Sequence, residues 1–257
     1  MDSIDKELKQ EIIKKAQDLG ADIVRSCSVS KWEELPIQQP EFWPQNIWPW
    51  VKNVIVLGIP LYIPMIDTTP SMVYQELYNT SNRVLDDIAY HLTNYITTKK
   101  GYRALYFPRD CYYNIEVLMD NSDAAFSHVV AAYYAGMGSI GDSHNLITKE
   151  FGPRIRLVSI LTDAPIPPDD MQESNICIHC GTCLKKCPAQ CFTENNSGIY
   201  AMDKERCTRH HLRIKNEHHW PCGICTSVCP VGDDLKKYRD VEVVTAAGVE
   251  HCQKHGS

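Results

Sequence analysis

The chain has 257 residues, of which 44% are hydrophobic and 23% charged, which is ordinary for a globular protein of one or two domains. A net charge of −6 argues against a large nucleic-acid-binding face, which would need to be basic. Residues 1–17 are charged and amphipathic, with neither an apolar signal region nor a twin arginine. No apolar run approaches the length of a membrane span. We therefore expect a cytoplasmic protein without membrane contact.

Hydrophobic periodicity predicts an alternation of helices and strands over the first 165 residues or so. The elements, in chain order, are a helix over 4–19, a proline-rich ordered loop over 36–49, a strand buried on both faces over 54–59, a long helix over 71–99, a strand over 102–107, a helix over 124–135 and a strand over 155–162. This order favours a layered α/β domain. Its boundary is predicted in 165–173, where proline and acidic residues replace the apolar pattern.

Eight of the twelve cysteines form a pattern that is typical of two iron–sulfur clusters. Cys177 to Pro188 matches C-x2-C-x2-C-x3-C-P, the run of bacterial-type ferredoxins, in which the fourth cysteine ligates the other cluster. A second run spans Cys222 to Pro230, and Cys207 lies between the two. The pattern therefore predicts two sets of ligands: Cys177, Cys180, Cys183 and Cys229 for cluster 1, and Cys187, Cys207, Cys222 and Cys225 for cluster 2.

Other interpretations of these residues are less favourable. Zinc also binds C-x2-C pairs, but rarely three cysteines in this spacing before a trailing C-P, and nothing suggests a secreted disulfide framework. The remaining cysteines are most simply buried or incidental thiols: Cys27, Cys111, Cys191 and Cys252. The histidine-rich segments 209–211 and 218–220 could hold a second metal, but a solvated loop is the favoured interpretation.

Three glycines follow the predicted helix 124–135, at Gly136, Gly138 and Gly141. They are not a dinucleotide-binding loop, which runs from a strand into a helix. Two interpretations stay open. The glycines form a tight turn at the helix end, or they let the backbone approach a large flat cofactor.

The glycine segment and the eight cysteines, in this order, resemble the epoxyqueuosine reductases and, more distantly, the reductive dehalogenases. The resemblance covers residues from about 5 to 240 and is carried by Phe126-Ser-His128, Ala135 to Gly141, Asn145-Leu-Ile, Gly152 to Asp163, Ala16 to Asp22, Val54 to Gly58 and the cysteine runs. It implies an α+β fold with a nitroreductase-like α/β domain over 1–168, a ferredoxin-like two-cluster domain over 169–240 and a tail over 241–257. It also implies two [4Fe–4S] clusters and a cobalamin, which carries the reductive chemistry on a small substrate.

The resemblance also suggests the residues of the cofactor site. The corrinoid would contact Gly138, Ser139, Ile140, Gly141 and Asn145. The family's acidic proton-donor motif has no clean counterpart here, which leaves Asp123, His128 and Asp120 as candidates. A helix N-cap is the alternative for Asp123, and a packed histidine is the alternative for His128.

The chain ends soon after the cluster module, without the family's helical-repeat extension, and it is acidic, so tRNA is an unfavourable substrate. An acidic electron donor of the ferredoxin or flavodoxin type could dock on Lys185-Lys186 and Lys236-Lys237, although ordinary surface charge explains them as well. A cobalamin-dependent reductase is thus the favoured hypothesis. The alternative is a non-catalytic electron-transfer or corrinoid-handling protein.

Overall fold

The computed structural model describes residues 5–108, 119, 126–194, 200–217 and 219–238, and the backbone of 243–245 and 248–250. The helices are α1 Lys6–Asp18, α2 Lys31–Glu34, α3 Pro44–Ile47, α4 Ile63–Ile66, α5 Met72–Thr98, α6 His128–Tyr134, α7 Thr182–Lys185, α8 Lys204–Asn216 and α9 Ile224–Ser227. The strands are β1 Ile23–Ser28, β2 Asn53–Pro60, β3 Ala104–Phe107, β4 Ser139–Ile140, β5 Leu146–Ile147, β6 Ile155–Thr162, β7 Phe192–Glu194, β8 Tyr200–Met202, β9 Val243–Thr245 and β10 Gly248–Glu250. Short 3₁₀ turns occur at Pro40–Phe42 and Asp233–Lys237.

A four-stranded antiparallel sheet in the order β1-β2-β6-β3 forms the centre of the first domain. β2 is buried along almost its whole length, which confirms the predicted strand over 54–59. Its side chains alternate between the two faces of the sheet. Ile55 and Leu57 pack with α1 and α5 on one face, whereas Val54 and Val56 pack with α6 and the buried Trp32 on the other. The sheet is therefore the middle layer of a sandwich, and the predicted α+β class is confirmed.

The predicted helices are also confirmed, within one or two residues at most described ends. α1 begins at the N-cap Asp5, whose carboxylate accepts from Leu8 N, and it ends before Gly20. Ser127 caps α6 in the same way through Val130 N. The helix predicted over 124–135 thus begins later, at His128, and residues 124 and 125 lie outside the described residues.

The predictions missed β1, α8 and the three short hairpins. β1 is an edge strand that contains Arg25, Ser26 and Ser28, so its sequence lacks the apolar run of β2. The solvated loop predicted over 209–220 is wrong for its first half, because α8 extends to Asn216 from an N-cap at Asp203. This helix has a weak sequence signal, since only Thr208 and Ile214 are buried.

The boundary between 168 and 169 remains a prediction, but the chain is firmly attached there. Asp169 accepts a hydrogen bond from Ser26 N at 2.8 Å and pairs with Lys9 Nζ at 2.8 Å. Its own backbone N–H donates to Ser26 O. The connection thus runs along the exposed edge of β1 before it enters the cysteine-rich module. Within the described part of the chain, no helix combines the length and apolar character needed to cross a membrane.

Candidate metal centre and adjoining pocket

Each cysteine run forms a loop followed by one short helical turn. In the first run, Gly181 adopts a left-handed conformation, with φ of 69°, and leads into α7. In the second run, Gly223 precedes α9 and lies so close to Tyr74 that a Cβ atom would be 2.5 Å from its ring. The helical turn separates the last cysteine of each run from the others, as the ferredoxin spacing requires.

The thiols predicted for cluster 1 surround a small cavity at the surface, and we call them the outer thiol group: Cys177, Cys180, Cys183 and Cys229. Cys180 is exposed and the neighbouring Ile178 is 64% exposed. Burial, together with the nearby Cys225 and Cys229, raises the pKa of Cys183 to about 12. Closely spaced thiols of this kind lose their protons when they bind a metal centre.

The thiols predicted for cluster 2 are all partly buried, and we call them the inner thiol group: Cys187, Cys207, Cys222 and Cys225. Burial, together with the nearby Cys225, Cys187 and Cys191, raises the pKa of Cys222 to about 11, against a hydrogen bond from Ile224 N that lowers it. Cys225 also lines the cavity of the outer group, so the two groups adjoin.

Cys191 is not an incidental thiol. It is 1% exposed, its Sγ lies 3.5 Å from Cys187 Sγ, and it forms a hydrogen bond with the Cys207 thiol. The sequence interpretation of a buried thiol is confirmed, but its contact with the predicted ligands was not expected, because Cys191 stands outside both cysteine runs. The signal that could have found it is its position four residues after Cys187, which a tight turn can bring back to the same site.

The described thiols do not form a three-cysteine site for a single zinc ion. Three thiolates on one zinc ion, at Zn–S distances of about 2.3 Å, lie about 3.8 Å apart. Among the residues that the structure describes, no three cysteine Sγ atoms lie within 4.8 Å of one another. The one group of three ligating atoms that does so in this part of the chain is Asp142, Cys177 and His179. In it, His179 Nδ1 lies 2.8 Å from Asp142 Oδ1, at the surface beside the outer thiol group.

A buried arginine fixes the second cysteine run to the α/β domain. Arg154 is 1% exposed and donates through Nε and Nη2 to the two oxygens of Asp234, both at 2.8 Å. It also donates to Cys229 O at 3.0 Å and to Val231 O at 2.5 Å. Gly152 permits this contact, because a Cβ atom there would overlap the Val231 carbonyl oxygen. Sequence reasoning gave Arg154 no role, since an arginine between two strands carries no signal of burial.

The structure supports the tight-turn interpretation at Gly136 and places other parts of the chain, not open space, against Gly138 and Gly141. Gly136 ends α6 with φ of 69° and packs against the backbone of Asp170. Gly138 packs against the backbone of Ile147 in the β4–β5 hairpin. A Cβ atom at Gly141 would be 2.7 Å from the Ile147 side chain and 3.5 Å from Cys177 Sγ. The chain itself occupies the space beside these glycines.

The β4–β5 hairpin positions the remaining predicted corrinoid residues. Ser139 is buried and its Oγ accepts from Ile176 N at 2.9 Å, just before the first cysteine. Ile140 pairs with Leu146 across the hairpin. Asn145 lies at its turn, where Gly141 N donates to its carbonyl at 2.9 Å. The Asn145 side-chain amide reaches Cys225 Sγ of the inner thiol group at 3.5 Å.

A second, open cavity of about 250 Å³ adjoins Asn145 on the side of the α/β domain. Its walls are formed by Phe126, Ser127, His128, Val129, Asn145, Leu146, Pro153, Ile155, Arg156 and Leu157. Arg156 is held by Asn82 Oδ1, which accepts from Nε at 3.0 Å and from Nη2 at 2.9 Å. Its guanidinium carbon lies 4.3 Å from the centre of the Tyr78 ring. The cavity thus combines apolar walls with oriented donors.

His128 is the one candidate proton donor among the described residues, and both of its ring nitrogens are engaged. Nε2 donates to Pro108 O at 3.3 Å, so Nδ1 accepts from the buried Ser159 hydroxyl at 2.9 Å. Burial, with a smaller contribution from Arg156, lowers the pKa of His128 to about 4, against the hydrogen bond to Pro108 O, which raises it. The imidazole is therefore neutral at physiological pH. Asp120 and Asp123 lie outside the described residues and stay predictions.

Comparison with known proteins gave relatives of two kinds. No protein-family profile matches the chain. It is 30% identical to the tetrachloroethene reductive dehalogenase of Sulfurospirillum multivorans over 115 residues (40% of this chain, 23% of that one). It is 36% identical to the epoxyqueuosine reductase of Synechococcus sp. (strain RCC307) over 106 residues (37% and 31%), and 24% identical to that of Bacillus cereus over 269 residues (92% and 68%). The chain therefore spans about a quarter to a third of the first two relatives.

Solved structures of both kinds share the fold. A catabolic reductive dehalogenase in complex with 3-bromo-4-hydroxybenzoic acid superposes with a TM-score of 0.68 at 20% identity, over 89% of this chain and 32% of that one. A reductive dehalogenase whose structure is described as suggesting a mechanism for B12-dependent dehalogenation gives a TM-score of 0.66 at 19% identity, over 89% and 32%. An epoxyqueuosine reductase gives 0.61 at 17% identity, over 87% and 65%.

Proposed function

Because the chain belongs to the family that includes the epoxyqueuosine reductases and the reductive dehalogenases, we propose that it is a reductase that binds two [4Fe–4S] clusters and a corrinoid. When bound, the clusters would supply single-electron transfer and the corrinoid a strongly reducing metal centre. The outer and inner thiol groups would hold the clusters, since each offers four thiols in ferredoxin spacing.

The observation that carries this proposal is the position of Asn145. Its amide contacts the Cys225 thiol and its side chain lines the 250 Å³ cavity, so the inner thiol group adjoins the cavity through one residue. The outer group, in contrast, faces solvent at Cys180. Thiols exposed at Cys180 and others in contact with the cavity through Asn145 are what delivery of electrons from an external donor to a bound cofactor requires.

The walls of the cavity are suited to one part of a corrinoid. Such a ring presents apolar edges and peripheral amides, which match Leu157 and Phe126 on one hand and Ser127, Asn145 and Arg156 on the other. Whole-cofactor pockets usually exceed about 300 Å³, so this open cavity would hold one edge of the ring. Of the five predicted corrinoid residues, Asn145 is the one that lines it.

The substrate we propose is a small organic molecule with a polar bond that two electrons and a proton can cleave. The net charge of −6 supports a small substrate over tRNA. The proton would come from Asp120 or Asp123, because His128 is neutral near pH 7 and already donates to Pro108 O. Asp120→Asn and Asp123→Asn variants test this, and unchanged turnover in both would remove them as donors.

The electron donor we propose is an acidic protein of the ferredoxin or flavodoxin type. Lys185 and Lys186 are exposed at the end of α7, beside the exposed Cys180. Lys237 is exposed in the 3₁₀ turn that follows the second cysteine run, and Lys236 of the same turn is paired with Asp233 at 2.6 Å. A basic surface next to the outer thiol group would attract such a donor and speed association at low salt.

Cobalamin binding tests the cofactor half of the proposal. The anaerobically purified protein is titrated with cobalamin while its visible spectrum is recorded. We expect saturable binding that Val129→Trp weakens at least tenfold, since Val129 lines the cavity. The control Val84→Trp adds the same side chain at a 42% exposed position and leaves binding unchanged. An unperturbed wild-type spectrum would contradict a corrinoid site, and binding without turnover would favour the corrinoid-handling alternative.

A further inference from the structure

One thiol more than a cluster needs, that of Cys191, lies beside the inner thiol group. A [4Fe–4S] cluster takes four cysteine thiolates. Cys187, Cys207, Cys222 and Cys225 would complete the set, yet Cys191 is in contact with two of them, Cys187 and Cys207. Cys191 therefore faces the same space as the four predicted ligands.

The local backbone directs Cys191 towards this space. The chain turns back after Cys187 through a hydrogen bond from Gln190 N to Cys187 O at 3.1 Å. Gln190 has φ of 47°, a left-handed conformation that few residues other than glycine adopt. The carbonyl of Cys191 then accepts from Asp203 N at 2.7 Å, which attaches the turn to the start of α8.

Cys207 and Cys191 occupy one small unit of the fold. Cys207 is in the first turns of α8, where its N–H donates to Asp203 O at 3.2 Å. Arg206 Nη1 donates to Gln190 O at 3.3 Å, which ties this helix to the turn that carries Cys191. Both thiols thus belong to one hydrogen-bonded unit, which places Cys191 beside the predicted ligand Cys207.

We propose that Cys191 is a second, interchangeable ligand for the iron that Cys207 is predicted to bind. This inference depends on the proposed two-cluster function. The exchange replaces one iron–sulfur bond by another: the bond to Cys207 breaks, the Cys207 sulfur takes up a proton, and Cys191 loses its proton and binds the iron. No electron is transferred, and no further reactant is needed.

Iron counts in single and double variants test the exchange. Wild type, Cys207→Ala, Cys191→Ala and Cys191→Ala/Cys207→Ala are reconstituted anaerobically without added thiols, and iron and acid-labile sulfide are measured per chain. We expect about eight irons in wild type and in both single variants, and about four in the double variant. Cys27→Ala/Cys207→Ala is the matched control, because Cys27 is also fully buried but donates to Ala131 O, away from both thiol groups, and it should retain about eight irons.

The results that would overturn the inference are distinct. Loss of four irons in Cys207→Ala alone, or a three-iron signal in its electron paramagnetic resonance spectrum, would show that Cys191 does not replace Cys207. Eight irons in the double variant would show that solvent replaces the thiolate. A wild-type protein with about four irons would instead overturn the two-cluster proposal, and the inference with it.

Alkylation supplies a measurement that does not depend on the double variant. In reconstituted Cys207→Ala, we expect Cys191 to resist iodoacetamide until iron is removed with a chelator, after which mass spectrometry finds it alkylated. Cys191 that becomes alkylated in the iron-loaded, folded variant would overturn the inference.

Discussion

Replacing Arg154 by methionine tests whether this side chain holds the second cysteine run in place. The substitution removes four hydrogen bonds. It also leaves the Asp234 carboxylate, whose side chain is only 12% exposed, without its cationic partner. Breaking a buried ion pair in this way costs about 3–5 kcal/mol. Because two of the lost bonds hold the Cys229 and Val231 carbonyls, we also expect loss of iron from the outer thiol group.

Arg103→Met is the matched control. Arg103 pairs with Asp163 at 2.7 Å, a similar distance, but its side chain is 62% exposed. Surface pairs contribute about 0–1 kcal/mol. Urea denaturation under anaerobic conditions gives the free energy of unfolding, and iron analysis gives the cluster content. A free energy of unfolding for Arg154→Met within about 0.5 kcal/mol of the control, with full iron content, would refute this account.

The double variant separates the ion pair from the hydrogen bonds to the loop. Asp234→Leu combined with Arg154→Met removes the stranded carboxylate, so the two costs should not add, and we expect a coupling energy of about 1–3 kcal/mol. Additive costs would mean that Arg154 acts chiefly through Cys229 O and Val231 O.

Three further predictions concern the site. Asn145→Ala should lower the reduction potential of one cluster by roughly 40 mV, equivalent to about 1 kcal/mol for one electron, because it removes the hydrogen bond to Cys225 Sγ. A redox titration followed by electron paramagnetic resonance measures this, and Asn46→Ala, whose amide contacts Pro40 O, should shift nothing. Gly152→Ala should destabilise the protein by well over the ~1 kcal/mol expected for Gly101→Ala. Both glycines have positive φ, but of the two only Gly152 lies against another carbonyl, that of Val231. Equal losses in denaturation midpoint for the two variants would contradict this contact. For His128, the folded-state pKa of about 4 lies below the unfolded value of 6.5. As the pH falls, the unfolded state therefore binds a proton before the folded state does, and the protein loses stability between pH 6.5 and 4. Over that range, wild type should therefore lose more free energy of unfolding than His128→Asn, by at most about 3 kcal/mol. Thermal melting at several pH values measures this, and the same pH dependence of stability in the two proteins would show that His128 is not buried.

The parts of the fold that could be predicted are those with strong apolar patterns. β2 and β6 are continuous apolar runs, and α5 carries a stripe from Leu77 to Ile96, so hydrophobic periodicity suffices for them. β1 could not be found in this way, because it is an edge strand whose Arg25 and Ser26 contact Asp169, 143 residues or more away in sequence.

The same division holds for the site. The spacing of eight cysteines predicts the two thiol groups, because local geometry limits which thiols reach one cluster. Cys191 and Arg154 could not be predicted, since their roles depend on where other segments return in space. The contacts of Cys191 with Cys207, and of Arg154 with Asp234, join residues that are 16 and 80 positions apart. The histidine at 128 and the glycines at 138 and 141 were recognised by resemblance, but their contacts within the chain became evident only from the fold.

The central claim, that the chain holds two iron–sulfur clusters beside a cofactor cavity, is tested most directly by the metal content of the wild-type protein. Anaerobically reconstituted protein is analysed for iron, zinc and acid-labile sulfide per chain. We predict about eight irons and about eight sulfides, because the outer and inner thiol groups each provide four cysteines. Stoichiometric zinc, or about four irons, would contradict the account.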